Sequence, residues 1–301
     1  MAKRVYSKMG NIPRGSASDK LVDGCLVLEG GAFRGLYTQG ILDELMLNDI
    51  NMNCVIGVSA GALGGMNYVS GQIGRSARVN LGYRHDSRYV GKTALKRSKS
   101  ILDIGFLTED RGILEPLDKE RFMDPRRRFV AVATNCLTGE TTYFEKKDYK
   151  TIMKGIRASA TMPYISPMVD INGTLYLDGG CSCKIPYKWA LDNDYEKIIV
   201  IKTRDLGFRK KDKLSDAAIR MYGKYPKFAL RLSESGIQYN RECNEVDKLH
   251  KEGRLLRIAP SEKVTVGRIE GDMDKLGDLY ELGRRDCIKQ LGTIKEYLNI
   301  K

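Results

Sequence analysis

Three short segments of this sequence carry residue types suited to acyl-ester chemistry. Glu29-Gly30-Gly31-Ala32-Phe33-Arg34-Gly35 follows the apolar run Cys25-Leu26-Val27-Leu28. Gly57-Val58-Ser59-Ala60-Gly61 follows Cys54-Val55-Ile56, and Asp178-Gly179-Gly180 follows Leu175-Tyr176-Leu177. Gly57-x-Ser59-x-Gly61 reads as a nucleophile elbow, a strand-to-helix turn so sharp that side chains two residues either side of the serine would collide. That turn places Ser59 at a helix N-terminus, where the dipole favours developing negative charge. In the first segment, Gly30, Gly31 and Ala32 leave backbone N–H groups free to converge on an oxyanion, and Arg34 braces the loop or adds positive potential. A nucleotide phosphate loop is excluded on detail. No Gly-Lys-Ser/Thr closes the segment, and the adjacency of Gly30 and Gly31 does not fit Gly-x-Gly-x-x-Gly.

Ser59 needs a base. The only two histidines, His85 and His250, sit in charged stretches, and neither follows a strand. Asp178 follows a strand and precedes two glycines that allow a tight turn. A partly desolvated carboxylate in contact with the hydroxyl can take its proton. Alone, each segment is an ordinary Gly-rich or Asp-Gly turn; the case rests on all three occurring in order.

The elements that must position these residues alternate. Strands are expected at 25–28, 53–57, 129–133, 175–177, 197–202 and 255–258. Helices are expected at 34–47, 60–70, 149–160 and 274–298, while 71–127 is polar, basic and hard to assign. This argues for an α/β fold, a mostly parallel central sheet covered by helices, with the motifs at the carboxyl ends of its strands. Residues 1–20 read as a flexible leader, 21–205 as the catalytic domain, and 206–301 as a helix-rich C-terminal extension packed on it.

The 301 residues carry a net charge of +13, which draws anions such as lipid headgroups, nucleic acid or acidic proteins. Much of the excess lies in Arg126-Arg127-Arg128, Arg209-Lys210-Lys211 and the stretch 92–99; each also reads as an ordinary solvated surface. The seven cysteines are odd in number and irregularly spaced, with neither a zinc pattern nor a disulfide framework, which fits a reducing cytosol. No run reaches the roughly 20 apolar residues of a bilayer span, and residues 1–20 lack a signal-peptide core. The expectation is a cytoplasmic protein able to lie on the inner face of a membrane.

Together the motifs resemble the patatin-like phospholipases, in particular a bacterial branch carrying Glu-Gly-Gly-Ala-Phe-Arg-Gly. The stretch Arg157-Ala158-Ser159-Ala160-Thr161-Met162-Pro163 resembles the family segment preceding the catalytic aspartate. The resemblance covers roughly residues 24–204. It implies a three-layer sandwich, a Ser59–Asp178 dyad, an oxyanion hole from Gly30, Gly31 and Ala32 with Arg34, elbow glycines Gly57 and Gly61, and no metal or organic cofactor. It implies a serine hydrolase of lipid or phospholipid esters working through an acyl-enzyme. Glu29 and Ala32 stand where many members have Asp and Gly; Ala32 is small enough to keep the loop's shape. Phe33, Met66, Tyr164, Ile165 and Met168 are candidates for an acyl groove. Other readings are a soluble carboxylesterase or thioesterase with the same dyad, or a non-catalytic membrane-binding regulator. A nucleic-acid binder ranks last, because no recognised motif supports it.

Overall fold

Strand residues alternate between two apolar clusters, and this sets the architecture. The structure, a computed structural model, describes residues 4–108, 115–211 and 213–301. Its strands are β1 (Gly15–Ser16), β2 (Val22–Leu28), β3 (Met52–Val58), β4 (Gln72–Ile73), β5 (Arg128–Asn135), β6 (Thr141–Glu145), β7 (Val169–Ile171), β8 (Thr174–Asp178), β9 (Ile198–Ile201) and β10 (Leu256–Ile258). Leu26, Leu28, Val55, Phe129, Ile199 and Ile201 face one cluster; Cys25, Val27, Ile56, Val130, Ile198 and Val200 face the other. Strands buried on both faces must be apolar throughout, which is why β2, β3 and β9 read as continuous hydrophobic runs. Helices therefore cover both faces and make a three-layer α/β sandwich.

The main sheet runs β10-β9-β2-β3-β5-β8-β7, with β6 on the other edge of β5. The pairs from β10 to β5 are parallel, whereas β6, β8 and β7 pair antiparallel. The sheet is thus mostly parallel, as the alternation of elements predicts. Strands β6 and β7 were not expected from the sequence, and 71–127 resolves into short helices including Arg75–Tyr83, Lys92–Ser98 and Lys119–Met123. Residues 109–114 of that stretch lie outside the described residues.

Two regions are more integrated than the sequence suggests. Residues 4–20 of the expected leader are packed rather than loose. Tyr6, Ile12 and Ala17 join the main core, β1 pairs with β4, and the Ser7 hydroxyl donates to Asp274 at 2.6 Å. Isolated apolar residues in a polar context supply this anchoring, which composition alone hides; residues 1–3 lie outside the described residues. The C-terminal region adds β10 to the sheet and lays the Met273–Leu298 helix along Gly35–Leu47. A Cβ on Gly40 would meet the Tyr280 carbonyl oxygen at 2.2 Å, and one on Gly283 the Tyr37 carbonyl oxygen at 2.1 Å. Glycine at both places lets the two backbones touch. Buried Tyr280–Asp43 (2.8 Å) and Tyr37–Asp286 (3.1 Å) hydrogen bonds add polar ties between the same helices. Among the described residues no helix is long and apolar enough to cross a membrane.

Candidate active site

The sheet register brings Ser59 and Asp178 together. On one edge of β5, β3 pairs up to Val58↔Val132, and β8 takes over at Asp178↔Ala133. Strand β3 runs parallel to β5 and β8 antiparallel, so the two meet end to end. Their last residues face consecutive positions of β5, about 3.4 Å apart along a strand. Ser59 is the next residue of the chain after Val58, which brings its side chain up beside the Asp178 carboxyl, whose ionised form it favours.

Ser59 caps the Ala60–Val69 helix with φ 57° and ψ −120°, a left-handed conformation that a non-glycine residue holds only under strain. Close packing enforces it. A Cβ on Gly57 would lie 2.5 Å from the Gly61 carbonyl carbon, and one on Gly61 would lie 2.5 Å from the Leu28 carbonyl oxygen. The Ser59 N–H donates to the Ser159 hydroxyl at 2.9 Å, and the Asp178 N–H donates to the Thr161 carbonyl at 2.9 Å. One stretch at the end of the Tyr149–Ser159 helix therefore holds both residues. The Asp178 carboxylate also accepts the Gly180 N–H at 2.7 Å. Burial pushes the Asp178 pKa up, opposed first by the Ser59 hydroxyl and then by the Gly180 N–H, with Arg268 and Lys184 also favouring ionisation. That is the setting of a carboxylate made more basic by desolvation.

The Gly30–Ala32 loop faces the elbow. A Cβ on Gly30 would sit 3.0 Å from the Val58 carbonyl oxygen, and one on Gly31 would sit 2.7 Å from the Thr203 hydroxyl. The loop approaches its neighbours more closely than a side chain permits. Ala32 sits at φ 50°, where glycine is easier. Glu29 is buried and accepts the Thr203 N–H at 2.7 Å, tying the ends of β2 and β9 together. Arg34 is 8% exposed, and its Nε has no hydrogen-bond partner among the described residues. Burial, then Arg204, lowers its pKa to about 10.

Two cavities meet at Ser59. A narrow apolar pocket is walled by Phe33, Leu63, Tyr89, Leu102, Ile104 and Ile165. A cleft of about 480 Å³ lies on the other side, beside Asp178 and the Gly30–Ala32 loop. Of the acyl-groove candidates, Phe33 and Ile165 line the pocket and Tyr164 the cleft. Met66 is instead buried in the core, 1% exposed, and Met168 borders a separate pocket. Neither histidine lines either cavity: His85 contacts the Gly271 carbonyl at 2.8 Å, and His250 Nδ1 lies 3.4 Å from the Leu255 carbonyl. The arginine run at 126–128 is engaged by Asp124, Asp19 and Glu145; of the three basic runs only 209–211 reaches the cleft. Sequence reasoning gave no role to Ser159 and Thr161, although their segment had been singled out. It also overlooked the cleft cations Lys184, Arg204 and Arg268, which no local pattern marks.

Comparison with known proteins gives the geometry a context. A family model described as patatin-like phospholipase matches residues 26–191, and one described as a domain of unknown function (DUF6363) matches 225–299. The uncharacterized protein YjjU of Escherichia coli (strain K12) is 30% identical over 185 residues, 59% of this chain and 51% of its own. The uncharacterized NTE family protein Rv1063c of Mycobacterium tuberculosis is 27% identical over 179 residues, 58% of this chain and 46% of its own. This chain spans about half the length of the curated relatives it matches. Among solved structures, VipD from Legionella pneumophila aligns with a TM-score of 0.48 at 12% identity, covering 92% of this chain and 68% of VipD. With more than half of its length matched by the family model and a sheet of the expected kind, the chain belongs to the patatin-like phospholipase family.

Proposed function

We propose that this protein is a serine lipid acyl hydrolase that cleaves carboxylic ester bonds of phospholipids or related lipid esters. The observation that carries the reading is the Ser59 hydroxyl held on a strained elbow against the buried Asp178 carboxyl. Asp178 takes the Ser59 proton as Oγ attacks the ester carbonyl. The N–H groups of Gly30, Gly31 and Ala32 hold the tetrahedral oxyanion, with Arg34 behind them and the Ala60–Val69 helix dipole adding to the field. As the C–O bond breaks, Asp178 returns the proton to the departing alcohol. Water then enters; Asp178 takes its proton as the water oxygen attacks the acyl carbonyl, and returns that proton to Ser59 Oγ as the C–Oγ bond breaks and the carboxylic acid leaves. The apolar pocket suits the acyl chain.

In this reading residues 21–205 form the catalytic domain and 206–301 an extension that builds one wall of the cleft. The +13 charge supports work in the cytoplasm against the inner face of an anionic membrane. The test is hydrolysis of p-nitrophenyl hexanoate and of phospholipid vesicles by wild type, Ser59→Ala, Asp178→Asn and a His85→Ala/His250→Ala double variant. Both dyad variants should lose at least about 10³-fold, and the histidine variant should keep its activity. Loss in the folded histidine variant would replace the dyad by a triad. Turnover confined to dispersed esters would make the protein a soluble esterase or thioesterase. Vesicle binding without turnover would make it a non-catalytic regulator.

A further inference from the structure

The cleft beside Ser59 is walled by cations that, among the described residues, outnumber the acidic groups near them, Glu29, Asp178 and the buried Glu242. Arg34, Lys184, Arg204, Lys210, Lys211, Lys213 and Arg268 line it, against two carboxylates among the described residues, Glu29 and Asp178. Elsewhere arginines are paired: Arg78 with Glu115, Arg97 with Asp103, Arg128 with Glu145 and Arg284 with Glu44. Even Arg209, next to Lys210 in sequence, binds Asp247 at 2.8 Å outside the cleft. None of the seven cleft cations has such a bridge among the described residues. Among the described residues Arg34 Nε and Arg204 Nε make no hydrogen bond, Arg204 Nη1 donates to the Val264 carbonyl, Lys184 Nζ donates to the Gly180 and Ser235 carbonyls, and the Lys210 ammonium rests 4.9 Å over the Tyr239 ring. Their charges oppose one another. Burial and then Lys184 and Arg268 push the Lys210 pKa down to about 6. A protein gathers like charges in a half-enclosed cleft at a cost in stability, and a multiply charged anion relieves that cost.

We infer that this cleft is a leaving-group subsite for a phosphate monoester, so that the enzyme selects acyl esters whose alcohol carries a dianionic phosphate over zwitterionic or neutral ones. The acyl chain occupies the apolar pocket, the scissile carbonyl lies at Ser59, and the phosphate meets Arg268, Lys210 and Lys184. The inference rests on the hydrolase reading for its orientation, but anion binding itself can be read without turnover.

The test has two arms. In the first, kcat/KM is measured on monomeric dihexanoyl phosphatidate, dihexanoyl phosphatidylcholine and p-nitrophenyl hexanoate, below their aggregation limits so that membrane recruitment plays no part. Wild type should favour phosphatidate over phosphatidylcholine by roughly tenfold or more. Lys210→Gln and Arg268→Gln should each lower that ratio by about tenfold, the size of one charge-assisted hydrogen bond. Arg209→Gln, which removes the same charge outside the cleft, should keep the ratio. In the second arm, titration calorimetry of Ser59→Ala protein with glycerol 3-phosphate and inorganic phosphate reads binding alone. Glycerol 3-phosphate should bind, and Lys210→Gln should weaken it by about tenfold. Ester turnover with no phosphatidate preference, or with a preference that Lys210→Gln and Arg268→Gln leave intact, overturns the subsite and spares the hydrolase. Lys210-dependent phosphate binding without turnover of any ester overturns the hydrolase, and the leaving-group role with it, and spares the phosphate site. Binding of inorganic phosphate but not of glycerol 3-phosphate makes the cleft a free-anion site and overturns the assignment to a leaving group.

Discussion

Replacing Ser159 by alanine tests whether the elbow is held from behind. The Ser159 hydroxyl is the acceptor for the Ser59 N–H at 2.9 Å, and Ser159 is fully buried. Alanine removes one oxygen, too little to open a large cavity, so the main effect is a buried amide left without a partner. Such a loss costs about 1–3 kcal/mol. At about 2 °C per kcal/mol for a chain of this size, the melting temperature should fall by roughly 2–6 °C. Activity should fall further than stability suggests. Ser59 sits at φ 57°, a conformation that costs about 1–3 kcal/mol and persists only while its surroundings enforce it. Freed of one constraint, the backbone relaxes and Oγ moves relative to Asp178. A shift near 1 Å lowers the rate by about 10²-fold. The assay pairs thermal melts with kcat/KM on p-nitrophenyl hexanoate. Ser159→Ala protein that melts within 1 °C of wild type and hydrolyses within about twofold of it would refute the reasoning and leave the elbow held by its glycines alone.

Four further outcomes follow from contacts described above. The folded pKa of Asp178 lies above its ordinary value of 3.8, so its carboxyl stabilises the fold at low pH and loses that contribution as pH rises through the folded value. At pH 7 the buried charge is therefore a burden, and Asp178→Asn should melt at or above wild type while losing activity, the gap closing toward pH 4. By the same shift the acidic limb of wild-type kcat/KM should lie above 3.8. Ala32→Gly should raise stability by about 1 kcal/mol in denaturant titration with kcat/KM kept, because φ 50° suits glycine. Gly283→Val should cost about 3 kcal/mol in the same titration, because its Cβ would press on the Tyr37 carbonyl and part the two helices.

What the sequence made legible was local. The strands before Gly30, Ser59 and Asp178 are continuous apolar runs because both faces of the sheet are covered, and the turns after them are glycine-rich because backbones touch there. Those two signals sufficed to order the elements and to nominate Ser59 and Asp178. Short strands with mixed burial, such as Thr141–Glu145 and Val169–Ile171, carry no such run. The leader misled because its apolar residues are sparse and only some are buried: Tyr6 and Ile12 find a core while Val5, next to Tyr6, stays exposed.

The antiparallel approach of β8 is the step that periodicity leaves out, and it governs the chemistry. A parallel β8 would put Asp178 at the far end of its own ladder, clear of the elbow. Running against β5, the strand instead ends where β3 ends, so one residue of register separates the two motifs. The Ser159 hydroxyl then grips Ser59 across 100 residues of sequence, and the Thr161 carbonyl grips Asp178. The cleft cations, drawn from positions as far apart as Arg34 and Arg268, converge for the same reason. Arg34, Arg204, Lys210 and Arg268 lie in segments that follow parallel strands, where open α/β sheets collect their ligands, and Lys184 follows the antiparallel β8, whose end meets that of β3. Charge runs in the sequence are therefore an uneven guide: the run at 126–128 is neutralised by neighbours, while Lys210 and Lys211 of the 209–211 run join the scattered Arg34, Lys184, Arg204 and Arg268 around Ser59.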